Sequence, residues 1–314
     1  MVQILLAIIY VSFISLGLPD ALLGSAWPSM YREMSVPVSY AGIISMIISV
    51  GTVISSLQSD RLTKKMGAGM VTAISVAMTA VALFGFSISG SFPILCLWAI
   101  PYGLGAGSVD AALNNYVALH YTSRDMSWLH CMWGVGTIVG PYVMGYALTN
   151  GMTWNRGYLI ISLIQVVLSA ALFLSLPIWR KMEKRAGAAV PEEGAPSGKA
   201  LTLKEIVRIP GAKEIMVTFF CYCAVEQTSM LWGSSYMVLH NGLTAEEAAS
   251  YASLFCIGIT VGRFFNGFLM MRFTDNQMIR AGQAVIIAGI VILLLPFGKV
   301  TAVGGLILIG LGCA

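Results

Sequence analysis

The sequence predicts an all-α polytopic membrane protein with about ten transmembrane helices arranged as two repeats. Three observations predict this class. Hydrophobic residues make up 57% of the chain and charged residues only 10%. The mean hydropathy is +0.82, well above what a soluble core of this length requires. Finally, apolar windows of about 20 residues, the length that crosses a bilayer, recur along the chain.

These windows are separated by short polar connections. They lie at 4–28, 38–59, 67–89, 93–118, 127–149, 157–178, 213–238, 248–270, 278–297 and 301–314. The first nine are complete spans, and the tenth is shorter than a full crossing. No basic residue precedes the first window, so the first helix itself is expected to start membrane insertion.

Basic residues concentrate on one side of this arrangement. The connections after spans 2, 4, 6 and 8 hold most of the lysines and arginines, whereas the other side holds Arg32, Arg156 and Lys299. The N-terminus is therefore expected on the cytoplasmic face of a bacterial inner membrane. The net charge of +4 reflects this topology and predicts no nucleic-acid partner.

The chain is expected to consist of two halves joined by a cytoplasmic linker. Residues 179–212 are charged, small and dotted with proline, as linkers are. They separate an N-terminal six-helix half, residues 1–178, from a C-terminal half, residues 213–314.

The two halves resemble each other in sequence. Residues 39–65 align without gaps on residues 250–276, and LLGSAW at 22–27 returns as LWGSSY at 231–236. Parallel repeats of this kind occur in secondary transporters, with the substrate at the midplane between them. GLGAG in span 4 matches GLGCA at 310–314, so the C-terminal half is expected to be incomplete, ending within helix 10.

A charged motif is expected to form the loop after span 2. SLQSDRLTKK (56–65) resembles the GxxxDRxGRR signature of the major facilitator superfamily, with Ser56 and Thr63 in place of its glycines. The second copy, GFLMMRFTDN (267–276), places Met271 where the acid belongs. The resemblance implies the major facilitator fold of two six-helix repeats. It also implies a gating role for these charged residues: Asp60, Arg61, Lys64, Lys65 and Arg272.

Span 5 carries a second motif of the superfamily. GVGTIVGPYVMG (134–145) resembles its GxxxGP antiporter motif, although symporters of the superfamily show related strings. The resemblance implies helix packing at Gly136, Gly140 and Pro141, and Gly262 in span 8 is given the same role.

Two further sequence motifs resemble those of one branch of the superfamily. DAALNNY (110–116) and LHCMWGVG (129–136) resemble the fucose, glucose and galactose permease branch of proton-coupled sugar symporters. That branch carries an acid in helix 1 and another in helix 4, four residues before an asparagine, positions matched by Asp20, Asp110 and Asn114. Asn115 and Tyr116 depart from the branch, which leaves the sugar open. The resemblance implies a monomer in the lipid bilayer that moves a small solute with a proton as coupling ion and needs no other cofactor.

Helical periodicity places each acid on a stripe of small residues. The stripe in span 1 contains Gly17, Asp20, Gly24 and Trp27, and the stripe in span 4 contains Gly103, Gly107, Asp110 and Asn114. An intramembrane acid avoids lipid, so both stripes are expected to face the bundle interior or a water-filled cavity. Close helix packing alone would also explain the glycines.

The acids are candidates for proton coupling. Burial disfavours the charged form of a carboxyl group, so Asp20 or Asp110 is expected to hold a proton near neutrality and release it when the cavity reopens. Asp20 has a compatible structural alternative, namely accepting hydrogen bonds from backbone groups freed around Pro19 and Pro28. Glu226, on the equivalent stripe of span 7, is a third candidate.

Amide and aromatic side chains around these acids suit a neutral hydroxylated solute. The predicted solute contacts are Asn114, Gln227, Trp27, Tyr116, His130, Trp133, Trp232 and Tyr236. The aromatic residues have an alternative role in packing or interfacial belts. His130 is equally explained as a core histidine.

Arg263 in span 8 is too far from the cytoplasmic end to reach water easily, so it is expected to have a charge partner. The functional alternative pairs it with Glu226 or another acid, and the structural alternative makes it a clamp after Gly262. The cysteines form no CxxC pair and lie near no histidine cluster, so neither a metal site nor a disulfide is expected.

The sequence contains no GxSxG, HExxH or phosphate-loop motif, so an enzyme is not expected. The leading interpretation is a proton-coupled symporter for a sugar-like solute that works by alternating access. A proton-coupled drug or metabolite exporter is the main alternative, because exporters also use buried acids. A solute sensor that does not transport ranks last, since both coupling acids are present.

Overall fold

The helices account for almost all of the described chain. The computed structural model describes residues 2–189, 205, 207–269 and 272–314, and within these ranges the chain forms eleven helices and no strand. They are α1 (Val2–Asp20), α2 (Leu22–Glu33), α3 (Tyr40–Met66), α4 (Ala68–Ser87), α5 (Phe92–His120), α6 (Ser123–Thr149), α7 (Trp154–Ala189), α8 (Ala212–Asn241), α9 (Ala245–Leu269), α10 (Asp275–Leu293) and α11 (Lys299–Gly312).

The predicted all-α membrane class is confirmed. Eight helical segments of the described chain are long and apolar enough to cross a membrane, and the first of them, Gln3–Glu33, contains both α1 and α2. α11 is apolar but shorter. α8 is not among the eight, because polar side chains such as Glu226 and Gln227 interrupt its apolar residues.

The first span is broken beside its acid. α1 ends at Asp20, Ala21 forms a turn, and α2 continues to Glu33, beyond the predicted limit at residue 28. Pro19 lies within the last turn of α1 and has no N–H to donate. Ala21 therefore interrupts the regular helix between Asp20 and α2.

The motif predicted as a loop after span 2 is helical. Residues 56–65 belong to α3, which ends only at Met66, where Gly67 adopts a φ of 81°. The loop assignment was wrong because no glycine or proline lies within this stretch and its serines bond to α5. Ser56 Oγ donates to the Gly107 carbonyl at 3.0 Å and Ser59 Oγ to the Ser108 carbonyl at 3.2 Å.

The predicted linker begins later than the sequence indicated. α7 continues without interruption to Ala189, eleven residues past the boundary at residue 178, and α8 begins at Ala212. The rest of the linker, residues 190–204 and 206, lies outside the described residues, and so does Met271 of the second motif copy.

The two halves meet along helix pairs that include α6 with α9, α2 with α8, and α2 with α9. In the first pair, a Cβ atom at Gly134 would overlap the Thr260 hydroxyl. In the second, a Cβ atom at Gly24 would overlap the Met230 carbonyl oxygen. Glycine thus lets the α2 and α8 backbones touch and lets the Thr260 side chain pack directly on α6.

The predicted packing residues lie at contacts inside each half. Gly136 and Gly140 of α6 lie against the α1 backbone at Ile14 and Leu18. Gly262 of α9 lies against α11 at Leu311. Gly103 and Gly107, from the stripe that also holds Asp110, lie against α3 and not at an open space.

Gly24→Ala is expected to destabilise the protein by roughly 1–3 kcal/mol, because the added methyl group overpacks the contact between α2 and α8. Thermal unfolding in detergent measures the change. Gly233→Ala is the matched control, since Gly233 is the repeat equivalent of Gly24. Its Cβ would meet Leu306 at an ordinary 3.6 Å. The control is expected to be neutral or to gain up to about 1 kcal/mol from helix propensity, and equal losses in the two variants would contradict the assigned contact.

Candidate functional site

Asp20 lies at the break in the first span and is held by two neutral donors. Trp133 Nε1 of α6 donates to one carboxylate oxygen at 2.7 Å, and the Tyr102 hydroxyl of α5 donates to the other at 3.2 Å. Both oxygens are thus occupied, but neither partner carries a positive charge. The side chain is half-buried and has the environment of an acid whose charge is not neutralised by a salt bridge.

Arg263 of α9 connects this acid to the other half. Its guanidinium carbon lies 4.9 Å from the centroid of the Trp133 ring, the geometry of a cation–π contact. A guanidinium nitrogen lies 3.7 Å from Glu226 Oε1 of α8 and 3.2 Å from the Tyr222 hydroxyl. The predicted pairing of Arg263 with Glu226 is therefore present in the geometry, although the 3.7 Å distance is longer than a hydrogen bond.

These contacts form a continuous path between the halves. It runs from Asp20 through the indole of Trp133 to Arg263 and Glu226. The Arg263 and Glu226 side chains are 20% and 14% exposed, so both charges lie largely away from solvent. Glu226 Oε1 is buried and accepts no hydrogen bond among the described residues. A buried acceptor without a hydrogen bond is costly and available to a ligand.

Asp110 and Asn114 form a second polar pair on α5. Asn114 Nδ2 donates to an Asp110 carboxylate oxygen at 2.9 Å and to its backbone carbonyl at 3.1 Å. Asp110 is exposed. Its carboxylate and that of Glu226 are both close enough to Asp20 to interact with it electrostatically. We call Asp20, Asp110 and Glu226 the acid neighbourhood, and their role in proton coupling stays a prediction.

The charge of this neighbourhood is unbalanced. Three carboxyl groups, from Asp20, Asp110 and Glu226, share the region with the guanidinium of Arg263. If all three acids ionised, negative charge would exceed positive charge in a low-dielectric setting. Binding of a proton or a cation relieves that excess, so the arrangement is suited to proton exchange.

Several predicted solute contacts lie elsewhere. Trp27 is fully buried and donates its Nε1 proton to the Val38 carbonyl at 2.7 Å, so its donor is already used. Tyr116 packs at the end of α5 against His120 and Trp179. Both side chains make packing contacts in this structure, and their contact with solute stays a prediction. Tyr116 lies two residues, or 200°, around the helix from Asn114.

Tyr236 and Trp232 of α8 are also engaged in packing. Tyr236 stacks on His240 and donates to the Leu293 carbonyl at the end of α10. Trp232 packs against the apolar cluster of the N-terminal half, near Gly42. Their contacts are those of helix packing and not of the acid neighbourhood.

Two further predicted solute contacts are His130 and Gln227. His130 lies one turn before Trp133 on α6, with its ring centroid 5.8 Å from that of Phe13 in an edge-on arrangement, and it interacts electrostatically with Arg263. Gln227 is exposed and adjacent to Glu226 in sequence. The contact of either side chain with solute stays a prediction. The described residues contain no cluster of three or more His, Cys, Asp or Glu side chains suited to a metal ion.

The predicted gating residues are exposed at the end of α3. Asp60 pairs with Lys64 at 2.7 Å, one turn away on the same helix, and Arg61 and Lys65 are exposed beside them. Arg272 is exposed after α9. In this conformation the Asp60 carboxylate pairs with Lys64, and the gating role of these residues stays a prediction.

Asp60→Asn is expected to change the free energy of unfolding by less than about 0.5 kcal/mol, because both members of its ion pair are largely exposed. Turnover is expected to fall while the apparent affinity for solute stays nearly constant, since the residue lies far from the acids. Initial-rate transport assays separate the two parameters, with Lys64→Gln as the control that breaks the same pair. A large loss of affinity would contradict a gating role.

The sequence did not single out Tyr102, Tyr222 or Gln165. Tyr102 donates to Asp20, and Tyr222 accepts a hydrogen bond from Arg263. Gln165 is fully buried on α7 and bonds to Ser15. A polar amide in the middle of the apolar span 157–178 was the one signal that could have drawn attention to Gln165. The tyrosines gave no such signal.

Comparison with known proteins fixes the family. The sequence profile described as the Major Facilitator Superfamily matches residues 9–314. The chain belongs to the major facilitator superfamily. This confirms the resemblance seen in the charged motif, and it makes the chain part of a superfamily of membrane transporters.

The names of the similar proteins refer to different functions. It is 26% identical over 289 residues to "Bypass of stop codon protein 6" of Saccharomyces cerevisiae, covering 85% of this chain and 57% of the yeast protein. It is 21% identical to the glucose/mannose transporter of Bacillus subtilis, covering 97% of this chain and 76% of that protein. It is 22% identical over 142 residues to a quinolone resistance protein of Staphylococcus aureus, covering 44% of this chain and 36% of that protein.

The fold is shared with solved transporters. The crystal structure of a D-xylose–proton symporter superposes with a TM-score of 0.73, at 9% identity, covering 98% of this chain and 79% of that one. The likeness supports the major facilitator fold predicted from the repeats.

Proposed function

We propose that this protein is a proton-coupled symporter for a small hydroxylated solute of the sugar class. The observation that carries the proposal is Asp20, a half-buried intramembrane acid held only by the neutral donors Tyr102 and Trp133. A carboxyl group with neutral hydrogen-bond donors can exist in either protonation state, whereas one locked to a cation would stay ionised. Asp20 is therefore the proposed proton site.

The solute is proposed to lie between Asp20 and Asp110. Asn114 and Asp110 together offer an amide, which donates and accepts, and a carboxylate, which accepts. Glu226 Oε1 supplies another buried acceptor on the other half. Groups of this kind bind vicinal hydroxyls, while the Trp133 ring provides an apolar face for a pyranose. The similarity to a glucose/mannose transporter agrees with this class of solute.

Transport by alternating access would exchange contacts between the halves. Glycine-mediated contacts at α2 with α8 and α6 with α9 supply smooth surfaces on which the halves can rock. The path through Trp133 and Arg263 joins the proposed proton site to the C-terminal half. We propose that the protein acts as a monomer in a bacterial inner membrane, with the exposed charges of α3 on the cytoplasmic side.

The test is uptake of a panel of labelled hexoses and pentoses by the purified full-length protein in proteoliposomes, with and without an inward proton gradient. The proposal expects at least one sugar to accumulate above its external concentration, and a protonophore to abolish that accumulation. If no sugar of the panel shows either uptake or counterflow, the sugar class is contradicted.

A drug or metabolite exporter is the second candidate. The GxxxGP-like string of α6 and the partial similarity to a quinolone resistance protein favour it. The unbalanced acids would then bind a cationic substrate in exchange for protons. Proton-driven extrusion of a lipophilic cation such as ethidium from the same vesicles, without sugar uptake, would select this alternative.

A further inference from the structure

We propose that Gln165 of α7 is a positioning residue for Asp20: it supplies the hydrogen bond that Pro19 removes from α1. The inference rests on the proposed function only in so far as it assigns Asp20 a role in transport. The hydrogen-bond claim itself concerns the two helices and stands apart from the solute.

The first step is the gap that proline leaves. In an α-helix the N–H of residue 19 would donate to the carbonyl of residue 15. Proline has no N–H, so the Ser15 carbonyl loses its partner within α1, although the helix continues to Asp20. Ser15 is buried, and an unpaired carbonyl in a membrane interior is strongly unfavourable.

The second step is that Gln165 fills this gap. Gln165 Nε2 donates to the Ser15 carbonyl oxygen, and the Ser15 hydroxyl donates back to Gln165 Oε1. Both ends of the amide are thus used on a single residue, which fixes the orientation of the amide. Gln165 has no exposed surface. A buried glutamine is tolerated only when its hydrogen bonds are satisfied, and here the freed carbonyl accepts from its amide nitrogen while the Ser15 hydroxyl donates to its oxygen.

The third step links the hydrogen bonds between Gln165 and Ser15 to Asp20. Asp20 directly follows Pro19, and its carboxylate reaches Trp133 and Tyr102 on two other helices. The direction in which α1 ends therefore sets whether both donors are reached. Gln165 bonds to α1 about one turn before the helix ends. It therefore fixes the direction of the last turn of α1 relative to α7. Its effect on transport is thus exerted through Asp20.

The test is a thermal double-mutant cycle between Gln165 and Pro19. Gln165→Met removes the amide at similar volume and is expected to lower Tm. Pro19→Ala restores an N–H that can bond to the Ser15 carbonyl, so the double variant is expected to be more stable than Gln165→Met alone. Additive changes in Tm would overturn the hydrogen-bond assignment.

Ser162→Ala is the matched control on the same helix. Ser162 is equally buried and donates to the Ala80 carbonyl, but no proline removes the helical partner of that carbonyl. Its loss is expected to show no coupling to Pro19→Ala. Coupling of the same size between Ser162→Ala and Pro19→Ala would mean that the cycle measures a general loss of stability in α7. That result would also overturn the proposal.

Transport assays of the same variants distinguish a positioning role of Gln165 from a role in stability alone. In proteoliposomes, Gln165→Met is expected to lower gradient-driven accumulation by about tenfold, the factor that corresponds to ~1.4 kcal/mol, with counterflow exchange largely retained. Accumulation equal to wild type would overturn the positioning role. If Asp20→Asn also accumulates normally, the failure belongs to the proposed function, and the thermal cycle still decides the hydrogen-bond assignment.

Discussion

Asp20→Asn is expected to abolish accumulation of solute driven by a pH gradient while preserving counterflow exchange. Asparagine keeps the shape, its oxygen can accept from the Trp133 indole, and its amide can donate to the Tyr102 hydroxyl, but it cannot release a proton. Exchange of bound for free solute does not require deprotonation, whereas net symport does. Both activities are measured in the same proteoliposomes with labelled solute inside or outside.

The matched control for this substitution is Asp110→Asn, which changes an exposed acid that already has an amide partner. If Asp20 carries the proton, the Asp110 variant retains part of its gradient response. Should both asparagine variants still concentrate solute, the coupling role would move to Glu226 or to another ion.

Arg263→Leu is expected to destabilise the protein by roughly 3 kcal/mol, at the low end of the range for breaking a buried ion pair. It leaves the Glu226 carboxylate without its cation in a site where both side chains are at most one-fifth exposed. The low end applies because the distance of 3.7 Å is long for such a pair. Thermal unfolding and counterflow in the same preparation report the effects on stability and on solute exchange.

Two further variants test the origin of that loss. Glu226→Gln in the Arg263→Leu background is expected to recover part of the stability, because it removes the charge that was left unpaired. Arg263→Lys is expected to fall between wild type and Arg263→Leu, since lysine keeps the charge but loses the planar stacking on Trp133 and the fork that also reaches Tyr222. Wild-type stability of Arg263→Leu would contradict the ion pair.

The helices could be predicted because apolar length is a local property of the sequence. The acids could be predicted for a similar reason, since a carboxylate such as Asp20 stands out within an apolar window. Its partners could not. Tyr102 and Trp133 are 82 and 113 residues away from Asp20, and nothing in their own surroundings predicts the hydrogen bonds.

Trp27 shows why periodicity failed within one span. The predicted stripe assumed a continuous helix from Gly17 to Trp27, but the turn at Ala21 interrupts the helix after Asp20. The indole was consequently assigned to the face of the acid, while it lies in the core against Val38. A proline beside an intramembrane acid indicates such a break, but it does not give the new direction of the chain.

The bond between Gln165 and Ser15 also has a consequence for biogenesis. During synthesis, the first span enters the membrane long before residue 165 leaves the ribosome. Until α7 has inserted and packed, the carbonyl beside Pro19 depends on water, lipid headgroups or the insertion machinery for a partner. The first span therefore reaches its final tilt only when the sixth arrives, so the N-terminal half completes its assembly as a unit and not helix by helix.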